Sequence, residues 1–315
     1  MDPDGSSSGE TPVESIEQIP ILGEGLFPEG IGLDTQTGDL YVGSAIGGSI
    51  QRIVDGRAEW WKTPEDGDGL RPSTVGVMVD SEGRRLIACN NLVDFETFEF
   101  IETAVVVYDL ETAELLADVP LPEVAPSHLC NDLTLDSAGT IYASDSTANM
   151  LWRIDDAYQI SPVTEPGTFT STDPMLGSNG LATSPSGRYV FITQTVDPHL
   201  YRLDLQTDEI TEVQLRGLEY PGGDGIVFAD DDTLLSLQNW VPHDIIAVTF
   251  DDEEYASGIV SSALEDPEVD AALSRPTTAV VWEDRMYVVN SQFEIDPPIL
   301  PFWVTSIPLS RLALD

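Results

Sequence analysis

The stretch Asn131-Asp-Leu-Thr-Leu-Asp136, followed by Ser-Ala-Gly139 and Thr-Ile-Tyr-Ala143, is one of six copies of a single pattern. Each copy has an anchor residue, two alternating apolar residues, a turn containing Asp or Ser and usually Gly, and then a β-rich run. Another copy, Asn179-Gly-Leu-Ala-Thr-Ser184, continues into Pro-Ser-Gly187 and Tyr-Val-Phe-Ile192. The six anchors are 45–56 residues apart and are Glu29, Val75, Asn131, Asn179, Asp224 and Thr277.

A repeat of this length is typical of β-propellers, whose blades use roughly 40–50 residues each. Several copies also carry a third short strand that ends in arginine, at Arg52, Arg153 and Arg202. Long amphipathic helical patterns are absent from the sequence. The sequence therefore predicts an all-β fold: a six-bladed β-propeller with four-stranded blades around a central channel.

The two ends of the chain are expected to differ in structure. Residues 1–14, rich in Ser, Gly and acidic residues, are predicted to be a flexible tail, and residues 15–315 a single propeller domain. Closing the ring removes exposed sheet edges. We therefore expect a strand within residues 15–22 to dock on the last blade, which contains residues 303–314.

The charge balance limits the partners that this chain can have. It has 315 residues, with 13 Lys and Arg against 56 Asp and Glu, and a formal net charge of −43. Such a surface repels nucleic-acid phosphates and anionic lipids, so neither is an expected partner. The apolar content and six tryptophans argue against disorder. An acid-coated, folded chain whose only lysine is Lys62 is typical of an extreme halophile, with an ordinary acidic secreted protein as the alternative.

No run of eighteen apolar residues is present, so membrane insertion is not expected. The polar start shows no signal-peptide pattern, but it fits a spacer whose export signal has been replaced by a new Met. We expect an extracellular or cell-envelope protein, with the cytoplasm of a halophile as the alternative. A monomer or weak oligomer that acts on a small molecule is the expected state.

Equivalent positions of a propeller repeat converge at one mouth of the central channel, so the six anchors are expected to meet. Two carboxylates and two carboxamides aimed at one axis would be costly as simple packing. Oxygen ligands of this kind suit calcium, although another divalent metal is possible. The alternative is that Asn and Asp before Gly simply favour turns.

Four motifs resemble the senescence-marker-protein/gluconolactonase/luciferin-regenerating-enzyme-like family. They are Phe27-Pro-Glu-Gly-Ile31, Cys130-Asn-Asp-Leu133, Ser178-Asn-Gly-Leu181 and Gly223-Asp-Gly-Ile226. Two closing motifs, Arg275-Pro-Thr-Thr278 and Tyr287-Val-Val-Asn-Ser-Gln-Phe293, are similar to an uncharacterised bacterial and archaeal branch of that family. The resemblance covers about residues 24 to 293.

The resemblance implies a calcium-dependent hydrolase of lactones or related esters. The implied metal ligands are Glu29, Asn131, Asn179 and Asp224, with Asp224 as general base or nucleophile and Asn131 also contacting substrate. A bound cation would polarise the carbonyl and stabilise the oxyanion. The alternative is a noncatalytic propeller that binds a ligand or protein and uses calcium only as a structural ion.

One departure from the family concerns the substrate. Sugar-lactone members carry an arginine two residues before the substrate-contacting Asn, where this chain has Leu129, which favours a more apolar ligand. His128 is a candidate proton shuttle at the mouth, or alternatively a solvated loop residue. Further rim candidates for substrate binding follow later strands and are Gln194, Asn239, Trp240 and Asn290.

Three other features leave alternatives open. Asp132 is expected either to brace a ligand or a second ion, or to act as a hydrogen-bonding residue at a strand start. Cys89 and Cys130 lie in neighbouring blades and either form a disulfide in an exported protein or are two unpaired, buried cysteines. The insertion at residues 90–102 lengthens the second blade and is a candidate lid over the mouth.

Overall fold

The computed structural model describes residues 14–64, 70–94, 96–97, 99–173, 177–240 and 242–314. Its strands form six small sheets, each built around one copy of the repeat. The predicted six-bladed β-propeller is therefore confirmed. Residues 1–13 of the predicted tail lie outside the described residues, and the proposed domain boundaries remain a prediction.

Neighbouring strands of a blade run antiparallel, except for one pair in blade 5, and in the first four blades they follow chain order from the channel outwards. The strands of blade 1 are β2 (Pro28–Asp34), β3 (Asp39–Ser44), β4 (Ile50–Val54) and β5 (Arg57–Lys62). Those of blade 2 are β6 (Ser73–Asp80), β7 (Arg85–Asp94), β8 (Glu99–Asp109) and β9 (Leu115–Pro120). Those of blade 3 are β10 (Cys130–Leu135), β11 (Ile141–Asp145), β12 (Met150–Ile154) and β13 (Ile160–Pro162). The strands of blade 4 are β14 (Ser178–Thr183), β15 (Tyr189–Gln194), β16 (Leu200–Asp204) and β17 (Glu209–Glu212).

Blades 5 and 6 depart from the simple four-strand pattern. Blade 5 has five strands, since β18 (Gln214–Gly217) adds in parallel to the outside of β22. The other strands of blade 5 are β19 (Ile226–Phe228), β20 (Thr233–Gln238), β21 (Asp244–Phe250) and β22 (Ser257–Ser262). Blade 6 contains β23 (Pro276–Trp282), β24 (Arg285–Asn290) and β25 (Trp303–Pro308). A short helix, α1 (Pro267–Ala272), precedes blade 6, and a 3-10 turn (Leu309–Arg311) follows β25.

The ring is closed by β1 (Glu17–Pro20), which pairs antiparallel with β25 as the outermost strand of blade 6. This confirms the closing strand expected within residues 15–22. Ile19 lies opposite Val304 and is 7% exposed, in a cluster with Ile21 and Phe302. The first strand of the chain therefore completes the core of its last blade.

The core consists of six apolar clusters, each between two consecutive blades. Their apolar side chains alternate with polar ones along the strands, as expected for half-buried β structure. Many acidic residues occupy the turns: the carboxylates of Asp109, Asp136 and Asp204 each accept a hydrogen bond from the main-chain N–H two residues ahead. None of the helices in the described part of the chain is long and apolar enough to cross a membrane.

Neighbouring innermost strands approach each other main chain to main chain at the channel mouth. A Cβ on Gly30 would lie 2.1 Å from the Val75 carbonyl oxygen of the next blade. A Cβ on Gly180 would lie 2.3 Å from the Asp224 carbonyl oxygen, and the Gly180 N–H donates to that oxygen at 3.0 Å. These two positions therefore require glycine, because no side chain fits between the strands.

Closure by β1 predicts a large stability effect at one position. We expect Ile19→Ala to lower the free energy of unfolding by about 2–4 kcal/mol, since it removes a buried side chain from the seam between the first and last blades. Chemical denaturation measures this. The control is Glu17→Ala, an exposed residue on the same strand, with an expected change within about 0.5 kcal/mol. Equal stabilities of the two variants would contradict the closure.

Candidate metal centre

The anchors lie at a shared irregularity of the innermost strands. In blades 1–4 and blade 6 the pairing of the first two strands skips two residues, namely the anchor and the residue after it. In blade 3 the skipped pair is Asn131 and Asp132. Bulges of this kind re-aim side chains next to functional sites. The bulge therefore explains how an anchor at the start of a strand faces the channel.

The predicted ligands come together around one small cavity at the mouth. Its side-chain lining includes Glu29, Asn131, Asn179 and Asp224, each only 4–7% exposed, together with Asp132. The cavity has a volume of about 10 Å³, close to the space that a single water-sized sphere needs. The structure thus brings four blades to one ion-sized space.

The two asparagines are oriented by hydroxyl groups of their own blades. Asn131 Nδ2 donates to Ser146 Oγ at 2.9 Å, and Asn179 Nδ2 donates to Thr195 Oγ1 at 2.9 Å. With the amide nitrogens held in this way, neither Oδ1 atom forms a hydrogen bond to any residue that the structure describes. Both carbonyl oxygens are therefore left for another partner.

The Asp224 carboxylate is held on both sides. Its Oδ1 accepts a hydrogen bond from Asn179 Nδ2 at 2.8 Å, and its Oδ2 accepts a short one from Asn239 Nδ2. Burial raises the pKa of Asp224 to about 7, against the Asn179 hydrogen bond, and the charge of Asp132 adds to the increase. A carboxyl whose pKa is raised in this way keeps its proton more readily than an exposed one when no cation is bound.

Two further carboxyl groups share the cavity. The Glu29 carboxylate forms no hydrogen bond within the described part of the chain, and burial, followed by the charges of Asp224 and Asp132, raises its pKa well above the ordinary value. Asp132 accepts from the N–H groups of Leu133 and Leu181, both at 2.8 Å, and burial still raises its pKa to about 6. These contacts agree with the hydrogen-bonding alternative for Asp132.

The donor set fits a hard divalent cation. Three carboxyl groups face one cavity, and no basic side chain among the described residues lines it. Two of these carboxyls, on Glu29 and Asp224, and two unbonded amide oxygens are the ligand types that Ca²⁺ takes in proteins. A cation would remove the repulsion and desolvation that raise the carboxyl pKa values.

His128 lies in a different cavity from the four anchors. That cavity has a volume of about 320 Å³, and its lining includes Phe100, Ile101 and Leu121 together with His128, three residues before Asn131. His128 Nδ1 is 2.6 Å from Asp145 Oδ2, and Asp145 Oδ1 accepts from the Leu129 N–H at 3.0 Å. The structure therefore places His128 next to the site but not in it.

The rim candidates separate into different environments. Asn239 reaches Asp224, whereas Gln194 is fully buried and donates from Nε2 to the Thr170 carbonyl at 2.8 Å. Trp240 is 39% exposed and does not line the cavity that holds the anchors. Asn290 is buried and accepts from the Ser274 N–H at 2.7 Å, so its contacts are within blade 6.

Of the residues that hold the anchors, sequence reasoning missed Ser146 and Thr195 and named Asn239 only as a rim candidate for substrate binding. Ser146, Thr195 and Asn239 come 15 or 16 residues after Asn131, Asn179 and Asp224, just past the end of the second strand of each blade. The predicted Gln194 is one residue before the one that faces the site. A search for polar residues 15 or 16 positions after each anchor would have found Ser146 and Thr195 as well as Asn239.

The insertion in blade 2 forms a long hairpin of β7 and β8 on the face where the innermost strands begin. Its residues 95 and 98 lie outside the described residues. The described part walls the 320 Å³ cavity, through Phe100 and Ile101, rather than the cavity of the anchors. The lid over the mouth thus remains a prediction, and the hairpin is a wall of the neighbouring cavity.

Of the two alternatives for the cysteines, the structure has the disulfide. Cys89 on β7 and Cys130 on β10 are both fully buried and bonded to each other. The bond links blade 2 to blade 3, one residue before Asn131. It therefore ties the bulge that carries Asn131 to the neighbouring sheet.

Comparison with known proteins gives a consistent family assignment. The family model of the SMP-30/gluconolactonase/LRE-like region matches residues 27–253. Lactonase drp35 of Staphylococcus aureus (strain USA300) is 26% identical over 239 residues, which cover 71% of this chain and 68% of the relative.

Solved structures with the same fold have much lower sequence identity. Mala s 1, an allergen of Malassezia sympodialis, has a TM-score of 0.69 at 15% identity, covering 88% of this chain and 91% of its own. A gluconolactonase from Xanthomonas campestris has a TM-score of 0.59 at 13% identity, and the match covers 95% of this chain and 89% of the gluconolactonase. At these identities the matches establish the fold alone.

The buried carboxyl of Glu29 predicts stability effects of opposite sign with and without calcium. In EDTA at pH 8, we expect Glu29→Gln to raise the free energy of unfolding by about 1–3 kcal/mol, the usual cost of a buried group without a partner. The folded-state pKa is above the unfolded one, so ionisation destabilises the fold as pH rises through the folded-state pKa. At pH 5 the difference from wild type should shrink.

With saturating calcium, wild type should have a higher free energy of unfolding than Glu29→Gln, because the ion stabilises wild type more than the variant. Urea titrations at both pH values, with EDTA or calcium, measure all four states. Glu114→Gln, at an exposed position in a turn, is the control for a simple charge change. Equal calcium stabilisation of Glu29→Gln and wild type would contradict the assignment of Glu29 as a ligand.

Proposed function

Because this chain belongs to the SMP-30/gluconolactonase/LRE-like family, we propose that it is a calcium-dependent hydrolase of lactones or related esters. The names of its relatives, lactonase and gluconolactonase, support the reaction class. The observation that carries the proposal is the position of Asp224, a buried carboxylate held by two amides beside a cavity lined with oxygen donors. We assign Glu29, Asn131, Asn179 and Asp224 as the residues that would hold the ion.

A bound calcium ion would polarise the lactone carbonyl as a Lewis acid and stabilise the oxyanion. Asp224 accepts a proton from a water molecule as the water oxygen bonds to the carbonyl carbon. The ring C–O bond then breaks, and the proton passes to the released alkoxide, which gives a hydroxy acid. Direct attack by the Asp224 carboxylate, followed by hydrolysis of the acyl-enzyme, is the second version of this role.

The remaining residues are proposed to hold Asp224, the ion and the substrate in place. The Asn131 amide, oriented by Ser146, would present its Oδ1 to the ion or the substrate. Asn179 would present its Oδ1 to the ion while its Nδ2 fixes Asp224. His128, from the neighbouring cavity, is proposed to contact a substituent of the substrate.

We further propose a substrate that is more apolar than a sugar lactone. Leu129 stands where sugar-lactone members of the family carry an arginine. The neighbouring cavity also has apolar walls, including Phe100, Ile101 and Leu121. Both features favour a lactone or ester with a hydrocarbon or aromatic substituent over a polyhydroxylated ring. An exported protein is proposed as well, since disulfides persist in oxidising compartments.

A noncatalytic propeller with a structural calcium ion is the second candidate. It is favoured by the size of the cavity, which at about 10 Å³ has room for an ion but not for a substrate. In that case the ion would only neutralise the buried carboxylates, and the rim would bind a ligand or a protein.

The role of Asp224 predicts a loss of turnover in Asp224→Asn. We expect kcat on a panel of lactones and aryl esters, in high salt with calcium, to fall about 100-fold or more, because the amide cannot accept the proton. EDTA should abolish wild-type turnover. Asp231→Asn, an exposed acid in the same blade, makes the same charge change and should keep full activity.

The same panel separates the two candidate functions. If no lactone or ester is turned over while calcium still raises the melting temperature, the hydrolase proposal is wrong and the binding propeller takes its place. Faster turnover of apolar than of sugar lactones would support the proposed substrate class, and the reverse order would contradict it.

A further inference from the structure

The two closing motifs of the sequence meet at the mouth side of blade 6. Ser291 of the second motif binds the main-chain carbonyl of Arg275 in the first, with its N–H at 3.1 Å and its Oγ at 2.8 Å. The Ser274 N–H, directly before the first motif, donates to Asn290 Oδ1 at 2.7 Å. Neither motif contains one of the four residues assigned to the ion, although Thr278 of the first motif lines the cavity.

The Arg275 side chain leaves this junction and reaches blade 5. Its guanidinium donates from Nη1 to the main-chain carbonyl of Asn239 at 2.9 Å, and its Nη2 is 3.3 Å from Glu294 Oε2. The side chain is 15% exposed, so the contact is largely screened from solvent. Arg275 therefore fixes the main chain at the position that carries the Asn239 amide.

Asn239 continues the connection to Asp224. Its Nδ2 donates to Asp224 Oδ2, on the side opposite to the Asn179 amide. The Asn239 Oδ1 is buried and forms no hydrogen bond in the described part of the chain. Among the described residues, the hydrogen bond from Nδ2 to Asp224 is therefore the one polar contact that orients the Asn239 amide, and the reverse orientation would set two oxygens against each other.

We propose that Asn239 and Arg275 are positioning residues for Asp224: Arg275 holds the Asn239 main chain, and Asn239 holds one oxygen of the Asp224 carboxylate. With Asn179 on the other oxygen, rotation of the carboxylate plane would break two hydrogen bonds. Its remaining lone pairs are then directed at the cavity shared with Glu29 and Asn131. Asn239 thus acts on Asp224 instead of binding substrate. The catalytic part of this inference rests on the proposed hydrolase, whereas the positioning itself does not.

The first test measures calcium affinity by calorimetry, together with kinetics. In Asn239→Ala we expect the calcium Kd to rise about 10-fold, since one ligand is no longer held in place. At saturating calcium, kcat should fall about 10- to 100-fold while KM changes less than about 3-fold, because the base is misdirected and the substrate contacts remain. A residue that bound substrate would instead change KM.

The second test uses Arg275 and also covers the case in which Asn239→Ala does not fold. Arg275→Met keeps a side chain of similar length but removes the hydrogen-bond donor to the Asn239 carbonyl, and it should lower calcium affinity and kcat about 3- to 10-fold. Arg275→Lys keeps a donor and should recover both to within about 3-fold of wild type. The matched control is Arg188→Met in blade 4. This half-buried arginine pairs with Asp204 of the same blade and Glu254 of blade 5, and its replacement should leave both quantities unchanged.

A failure of the positioning proposal can be distinguished from a failure of the proposed function. If wild type turns over no lactone, the hydrolase is wrong, and the calcium affinities of the same variants still decide the positioning. Wild-type calcium affinity and wild-type kcat in Asn239→Ala would overturn the proposal. Equal losses in Arg275→Lys, Arg275→Met and Arg188→Met would also overturn it, because they would reflect general destabilisation.

Discussion

The close main-chain contact between successive innermost strands is the constraint on which the rest of this structure depends. Gly180 can approach Asp224 only because it has no side chain, and its N–H binds the Asp224 carbonyl. The same contact recurs where the Gly225 N–H donates to the Thr277 carbonyl at 2.7 Å, and Thr277 Oγ1 then binds the Glu29 carbonyl at 2.8 Å. These bonds link the anchors of blades 4, 5, 6 and 1 in turn. The positions of the anchor side chains follow from this ring of main chain.

A ring this tight leaves the carboxyl groups little freedom to avoid one another. Glu29, Asp132 and Asp224 are held close together by the contacts between blades. Burial raises the pKa of all three carboxyl groups, and the charges of neighbouring carboxylates raise those of Glu29 and Asp224 further. A folded protein keeps buried charges of one sign together only where something offsets their cost. In this chain the offset is proposed to be a cation, and the amides of Asn179 and Asn239 hold the Asp224 carboxylate toward it.

The sequence was sufficient to predict the repeat, the six blades, the closing strand and the convergence of the anchors, because each is fixed by periodicity and ring geometry. It pointed to Gln194 where the structure has Thr195 on Asn179, since a shift of one residue turns a side chain to the other face. It did not indicate the bulge or the extra strand β18, which depend on contacts between distant segments. The disulfide stayed open as well, because pairing requires Cys89 and Cys130 to be adjacent in space.

Closure by β1 has a consequence for how the chain reaches its native state. Hairpins within blades 1 to 5 join residues close in sequence and can form as the polypeptide leaves the ribosome. The pairing of Glu17 with Ser306, in contrast, joins positions almost the whole length of the chain apart. The entropy cost of closing this loop can be offset by strand pairing only after the last blade has formed. Until β25 has been synthesised, β1 has no partner strand and its edge is open to other chains, so ring closure is also the step that protects this protein from self-association during synthesis.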